Sequence, residues 1–424
     1  MKIFSWFDFK ESNFIYLAVS LITLFSSCKK DKKYDENNSP KTGSRAELTI
    51  DSLYLYAKEI YLWNDVLPSY SSFSPREKYA YITPEINALN KELFDITQLK
   101  INENTKLPFE YRESLNPKYS YLEHSSNQNA KARSSLPTVQ NNGIITNYID
   151  NLTYFYISSF PKLNALKNDL DNIFIEIAKR KPSTIVIDLR HNKGGYIETV
   201  EYLANLIAPS KLNGKTMYVE SFNSTLSTGK AKILRHQPYL DNNGNYVKIN
   251  GRQATLEDVD FSEKGNTYYF SKKGQLESVE NIYFITSGST ASASELLISL
   301  FKPYLNLKLV GQQTFGKPVG FFPIDIDQYS IYLSSFLLKN AQGWFDYFNG
   351  IEADIVVDLP ISPALGNPEE IGLKCILDDL SKDGNKLSLS KRTKKEKSKK
   401  YEFNIKDDIE VSIENRLQLR KKSR

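Results

Sequence analysis

The stretch GSTASASELL, residues 288–297, crowds Gly, Ser, Thr and Ala into a turn that opens an apolar helical run. A second stretch, GQQTFGKPVG (311–320), sets Lys317 among Phe315, Pro318, Val319, Phe321 and Phe322. A third, IDLRHNKGG (187–195), ends in paired glycines. These residue types could carry out acyl transfer. A serine hydroxyl is a poor nucleophile until a base takes its proton. The chain has three histidines, His124, His191 and His236, and none lies in the segments that hold Ser292 and Lys317. A lysine serves as base only when neutral, which at an ordinary pKa of ~10.4 it is not. Burial disfavours the ammonium form and can lower that value by several units. The apolar company of Lys317 predicts such a setting, with Phe315 or Phe322 facing the amine.

Each of the three segments follows a strand-like run: STIVIDLR, ENIYFIT and NLKLVG. Strands alternating with amphipathic helices such as LNALKNDLDNIFIEIAKRKP imply a parallel or mixed α/β core. Open α/β sheets place their sites at the carboxyl edge, so the three turns can converge. Ser292 then sits where a helix begins, with unbonded N–H groups near the reacting carbonyl. Ala293 N–H is the expected oxyanion donor, and Gly195 or Gly194 N–H the second. A helix start capped by Ser or Thr is the plain structural reading of GSTASAS and is compatible with catalysis. Ser289 and Ser294 are the competing nucleophiles. Asp188 and Arg190 read as supports for the glycine turn.

Asp188, Leu189, Arg190, Asn192, Gly194 and Gly195 spell D-L-R-x-N-x-G-G; Ser292 to Glu295 spell S-A-S-E; Thr314 to Lys317 spell T-F-G-K. In this order, with Ser292 and Lys317 25 positions apart, they resemble the carboxyl-terminal processing peptidases, or tail-specific proteases, which are serine peptidases using a Ser–Lys pair. The resemblance covers about residues 146–365. It implies an α/β (α+β mixed sheet) catalytic core, a Ser292–Lys317 dyad, protein or peptide substrates, and no cofactor or metal. Two departures stand out. Many members carry a Gln four residues after the lysine, where this chain has Phe321. Most also carry a PDZ domain before the core, and residues 118–145 are too few for a folded domain of ~50 residues.

The remaining organisation is read from composition. Phe14–Phe25 is an apolar run of signal-peptide length, too short for the ~20 residues of a spanning helix. It leads through two small residues to Cys28, which resembles a lipidation site. The reading is therefore a signal at 1–27, a tether at 28–44, a small helical domain at 45–117, a linker at 118–145, the catalytic core at 146–380 and a solvated basic tail at 381–424. Leu53, Tyr56, Ile60 and Leu62 mark the buried side of the first helix. Cys375, the only other cysteine, sits in an apolar helical pattern, GLKCILDDL, and reads as packing.

The net charge of +5 is a property of the tail, where 15 Lys or Arg face 7 Asp or Glu. The body is mildly acidic, which argues against nucleic-acid binding. The expected protein is a lipid-anchored serine endopeptidase of a cell envelope, on the periplasmic or surface side of an outer membrane. The alternative is a non-catalytic lipoprotein that holds peptides or other ligands on the same fold. A polyanion binder acting through the tail is a third class.

Overall fold

In a computed structural model of the chain, residues 39–125, 143–241, 244–360, 364–381 and 417–420 are described. The signal, Cys28 and most of the tether lie outside them.

Helix α1 (Arg45–Ile60) starts where sequence chemistry says it should. Ser44 Oγ accepts Glu47 N–H at 3.3 Å and Ser44 N–H donates to the Glu47 carboxylate, a reciprocal cap. Leu53, Tyr56 and Ile60 are buried as expected. The helix ends at Ile60, and a 3₁₀ turn over Asn64–Val66 carries the chain toward Pro68. Helix α2 (Glu85–Thr97) buries Leu89, Leu93 and Ile96.

A six-stranded sheet forms the centre. Its strands are β2 (Ile144–Ile149), β3 (Leu152–Ile157), β4 (Thr184–Asp188), β7 (Asn281–Thr286), β8 (Asn306–Gly311) and β13 (Ile355–Val356), in the order β13-β8-β7-β4-β3-β2. All neighbours run parallel except β2, which is antiparallel to β3. β3 and β4 are buried along their whole length, which is why their sequences are nearly continuous apolar runs. Strand alternation divides their side chains between two cores. Phe155, Ile187 and Phe284 enter the main core, whereas Tyr154, Val186 and Tyr283 face Leu373 and Ile376 of helix α6 (Ile371–Ser381). Cys375 packs against this second core. The crossover helix α3 (Leu163–Arg180) buries Leu166, Leu170, Phe174 and Ile177, one stripe at helical spacing, and α4 (Ile197–Ile207) follows β4.

An antiparallel sheet joins β9 (Val319–Gly320), β12 (Phe336–Asn340), β5 (Thr216–Phe222) and β6 (Thr267–Tyr269). A third, three-stranded, joins β1 (Tyr121–His124), β11 (Tyr329–Tyr332) and β10 (Pro323–Ile326).

Three boundaries differ from the sequence reading. The start of the expected linker is strand β1, paired antiparallel with β11 from Tyr121 opposite Tyr332 to His124 opposite Tyr329. Its partner lies more than 200 residues away, so composition could not reveal it. The helices of residues 45–117 are not a separate domain: Ile50, Leu53, Leu89 and Leu93 share one apolar core with Phe155, Leu297 and Ile331. Finally, residues 417–420 of the basic tail dock on the body, with Leu419 bridging Val259. The alternating leucines of RLQLR suit an extended segment, a signal masked by the surrounding charge.

Candidate active site

The nucleophile segment leaves the carboxyl end of β7, loops through residues 287–292 and enters helix α5 (Ala293–Phe301). Ser292 is the N-cap, with φ 57° and ψ −116°, a conformation that non-glycine residues adopt rarely and at a cost. It is half-buried. Ala293 N–H, at the first helical position, makes no hydrogen bond among the described residues.

The glycine turn after β4 lies against this serine. A side chain on Gly194 (φ +108°) would come within 3.0 Å of Ser292 Cβ and 2.9 Å of Ala291 O. One on Gly195 (φ +137°) would strike Phe160 O at 2.1 Å. Only glycine fits either place. The two segments are stitched together: Thr290 Oγ1 donates to Leu189 O at 2.9 Å, Ala291 N–H to Asn192 O at 3.3 Å and Ser294 Oγ to Asn192 O at 3.0 Å. Ser294 is thus fully buried and engaged, in contrast to Ser292. Gly194 N–H donates to Asn192 Oδ1 at 2.9 Å, within the turn itself.

Lys317 reaches the same place from the loop after β8. Phe315 N–H donates to Thr290 O at 2.9 Å, laying the lysine loop on the serine loop. Glu295 then ties the two together. Its fully buried carboxylate accepts Thr314 Oγ1 at 2.6 Å and Gly316 N–H at 2.7 Å on one oxygen, and Ser292 N–H at 2.9 Å and Lys317 N–H at 2.8 Å on the other. The backbone nitrogens of Ser292 and Lys317 are therefore no farther apart than two hydrogen bonds meeting at one atom.

Lys317 is 3% exposed. Burial lowers its pKa from 10.5 to about 8, against the opposing pull of the Glu295 and Glu110 charges. Glu110 was not singled out by sequence. It is a buried carboxylate from the amino-terminal region, held by Ser120 N–H and Oγ, both at 2.8 Å, and by Ser334 Oγ at 2.9 Å. Tyr119 OH, from the same region, donates to Gly316 O at 2.7 Å.

The aromatic neighbours differ from expectation. Lys317 Nζ lies 4.6 Å from the centre of the Phe321 ring, at the position expected to carry Gln. Phe321 is held edge-on by Tyr121 of β1 and Tyr332 of β11. Phe315 instead meets the Lys118 amine, and Phe322 lies at a tilt to Phe261. The segment read as a linker thus supports the ring that covers the lysine.

Asp188 and Arg190 are structural, as expected. Arg190 Nε donates to Asp188 Oδ2 at 2.9 Å, and its Nη1 and Nη2 donate to Glu370 at 2.7 and 3.0 Å. Tyr154 OH completes the cluster on Asp188 at 2.7 Å. The two carboxylates hold the guanidinium firmly protonated despite its burial. Among the described residues no histidine hydrogen-bonds to Ser292, Lys317 or Glu295. His124 lies beside the Tyr329 ring, His191 meets Tyr156 OH at 3.4 Å, and His236 is exposed.

Residues 151–357 match the family model described as peptidase family S41. Solved structures with a related fold include a candidate S41 protease from Bacteroides fragilis, at 19% identity over 56% of this chain and 57% of that one, TM-score 0.40. The alignment thus spans little more than half of that relative. The photosystem II D1 C-terminal processing protease is 14% identical over 78% of this chain and 100% of its own, TM-score 0.47. A candidate peptidase from Parabacteroides merdae is 14% identical over 82% and 100%, TM-score 0.48. No curated protein matches. The match to peptidase family S41 thus falls on residues 151–357, the part of this chain that holds Ser292, Lys317 and the glycine turn.

Proposed function

We propose that this protein is a serine endopeptidase in which Ser292 and Lys317 form a catalytic dyad. The observation that carries this reading is the single Glu295 carboxylate gripping the backbone of both residues beside a lysine whose burial favours the neutral amine. Neutral Lys317 takes the Ser292 proton as Oγ adds to the peptide carbonyl. The oxyanion is met by Ala293 N–H and Gly195 N–H. Lys317, now an ammonium, gives its proton to the leaving amine. A water then repeats the sequence on the acyl-enzyme: Lys317 accepts its proton and returns it to Ser292 Oγ. A serine-directed covalent probe should add its mass to the wild type and not to Ser292→Ala. An unlabelled wild type would instead support a peptide-holding protein on the same fold.

The pH dependence has a defined sign. Activity requires the neutral amine, so kcat/KM should rise as pH passes through about 8. A histidine base would give a rise near ~6.5. Phe321 acts on Lys317 in two opposite ways. Its ring face attracts the ammonium, an effect of about 0.5–2 kcal/mol. It also excludes water, part of a net depression from 10.5 to about 8 that corresponds to about 3 kcal/mol. Desolvation is the larger effect. Phe321→Ser should therefore shift the rising limb to higher pH, and a limb that stays in place would remove Phe321 as the cause.

We propose further that the mature chain begins at Cys28 and is lipid-anchored there. The motivation is the apolar run ending in small residues before that cysteine. No helix among the described residues is long and apolar enough to cross a membrane. Stable attachment needs more than one acyl chain. A fatty-acid probe should label the wild type in cells and spare Cys28→Ser; equal labelling of both would refute the anchor.

A further inference from the structure

Glu110 is a buried acid held only by neutral groups. Its carboxylate accepts from five donors: Ser120 N–H and Oγ at 2.8 Å each, Ser334 Oγ at 2.9 Å, and Tyr61 OH and Tyr119 N–H at 3.3 Å each. Ser334 N–H donates to Ser120 Oγ at 3.0 Å, which leaves the Ser120 hydrogen for the carboxylate. A ring of donors favours the ionised form. Burial lifts this carboxyl above its ordinary range, and the hydrogen bonds oppose the rise. The buried ion pairs among the described residues are those of Arg76 and Arg190, and neither involves Glu110. A buried charge ordinarily has a partner.

The segments around Lys317 are tied to this carboxylate from two sides. Tyr119 donates to Glu110 through its N–H and to Gly316 O through its hydroxyl, at 2.7 Å, one residue before the lysine. Beside Ser334, Ser335 N–H donates to Gly320 O at 2.8 Å, and Leu338 N–H donates to Pro318 O at 2.9 Å, just after the lysine. The carboxylates whose charge acts on the Lys317 amine are Glu295 and Glu110. Glu295 is committed to the backbone of both loops, and Phe321, beside the amine, has no oxygen to offer. The phenols packed here, Tyr61, Tyr119 and Tyr347, are kept neutral by burial. The neighbouring Lys118 amine is directed to Phe348 O, at 2.6 Å.

We propose that Glu110 is a positioning residue for the dyad: the fixed anion, supplied by the amino-terminal layer, that balances the Lys317 ammonium each time the amine takes the serine proton. The proposal rests on the Ser292–Lys317 reading given above. Burial alone would leave the amine a weak base, and a general base works best with a pKa near the working pH. A preorganised anion restores basicity and stabilises the charge that develops as the proton crosses. The proton passes from Ser292 Oγ to Lys317 Nζ and on to the leaving amine, while Glu110 stays ionised.

The test titrates Lys317 by NMR in the full chain carrying Ser292→Ala and isotope-labelled lysine. The signal is assigned by its absence from Lys317→Met. Its midpoint should lie near about 8 and fall by about one pH unit in Glu110→Gln. Glu110→Asp, which keeps the charge, should bring it back toward the parent. In chains that keep Ser292, the rising limb of kcat/KM should move down with the midpoint in Glu110→Gln. Its plateau should fall by up to about tenfold, the factor that one unit of basicity represents. A purely structural role would cost activity at every pH without moving the midpoint. Equal midpoints in folded Asp and Gln variants would therefore overturn the proposal. If the Gln chain does not fold, the parental chain decides. In glutamate-labelled protein the Glu110 carboxyl should be ionised below the Lys317 midpoint, and its signal should shift as the lysine loses its charge. A neutral carboxyl there, or a signal that ignores the lysine, would overturn it as well. The titrations need no turnover, so an inactive wild type with these midpoints would remove the peptidase reading and not the charge pairing.

Discussion

Replacing Ser292 by Ala should lower kcat/KM on a denatured protein substrate by about 10⁴-fold or more and leave the fold intact. Lys317→Met should do the same. The losses should not add in the double variant, because nucleophile and base act in one step. Stability should move separately from activity. Ser292 holds φ 57° and ψ −116°, which costs any residue with a Cβ. Ala inherits that cost, so its melting temperature should stay near that of the wild type. Ser292→Gly should relieve it and gain about 1 kcal/mol while remaining inactive. A variant that gains stability as it loses activity marks strain held for function. Near-wild-type hydrolysis by Ser292→Ala or Lys317→Met would remove the dyad.

Glu295→Gln should be the more damaging change to the fold. The carboxylate offers acceptors to four donors: Ser292 N–H, Thr314 Oγ1, Gly316 N–H and Lys317 N–H. A glutamine presents an oxygen to one pair and an NH₂ group to the other. Two buried donors then face a donor, and each unmade buried hydrogen bond costs about 1–3 kcal/mol. The expected loss is about 3–5 kcal/mol, read as a fall in the urea midpoint at unchanged slope, together with loss of activity. Burial already raises the pKa of this carboxyl, and its hydrogen bonds oppose that rise. A variant of wild-type stability would mean that the two loops are joined by something else.

The parts legible in the sequence share one property: their signals are local. The apolar run TIVID predicts a strand buried on both faces, and Asn192, Gly194 and Gly195 predict the turn after it. The small residues before Ser292 fit a turn that another backbone approaches closely, and Gly194 does so. What escaped was set by distant partners. Tyr121–His124 is polar-flanked and short, and becomes a strand only because residues 329–332 offer it an edge. Glu110 and Glu370 look like surface acids, yet each is buried against a group far along the chain, Ser334 and Arg190 respectively. The identity of the ring over Lys317 depends on side-chain direction. Phe315, Phe321 and Phe322 are all near in sequence, and only the backbone path turns Phe321 to the amine.

The shared core has a consequence for how the molecule comes apart. Ile50, Leu53, Leu89 and Leu93 pack into the same apolar interior as the sheet and the helix behind Ser292. Tyr119 and Glu110, beyond those helices, reach the lysine loop and its support. The amino-terminal helices cannot melt while the catalytic layers stay dry, because losing them opens one face of that interior to water. Unfolding of the two is thus one cooperative event, and a chain shortened to start at the family-matching region would begin life with one wall of its core missing.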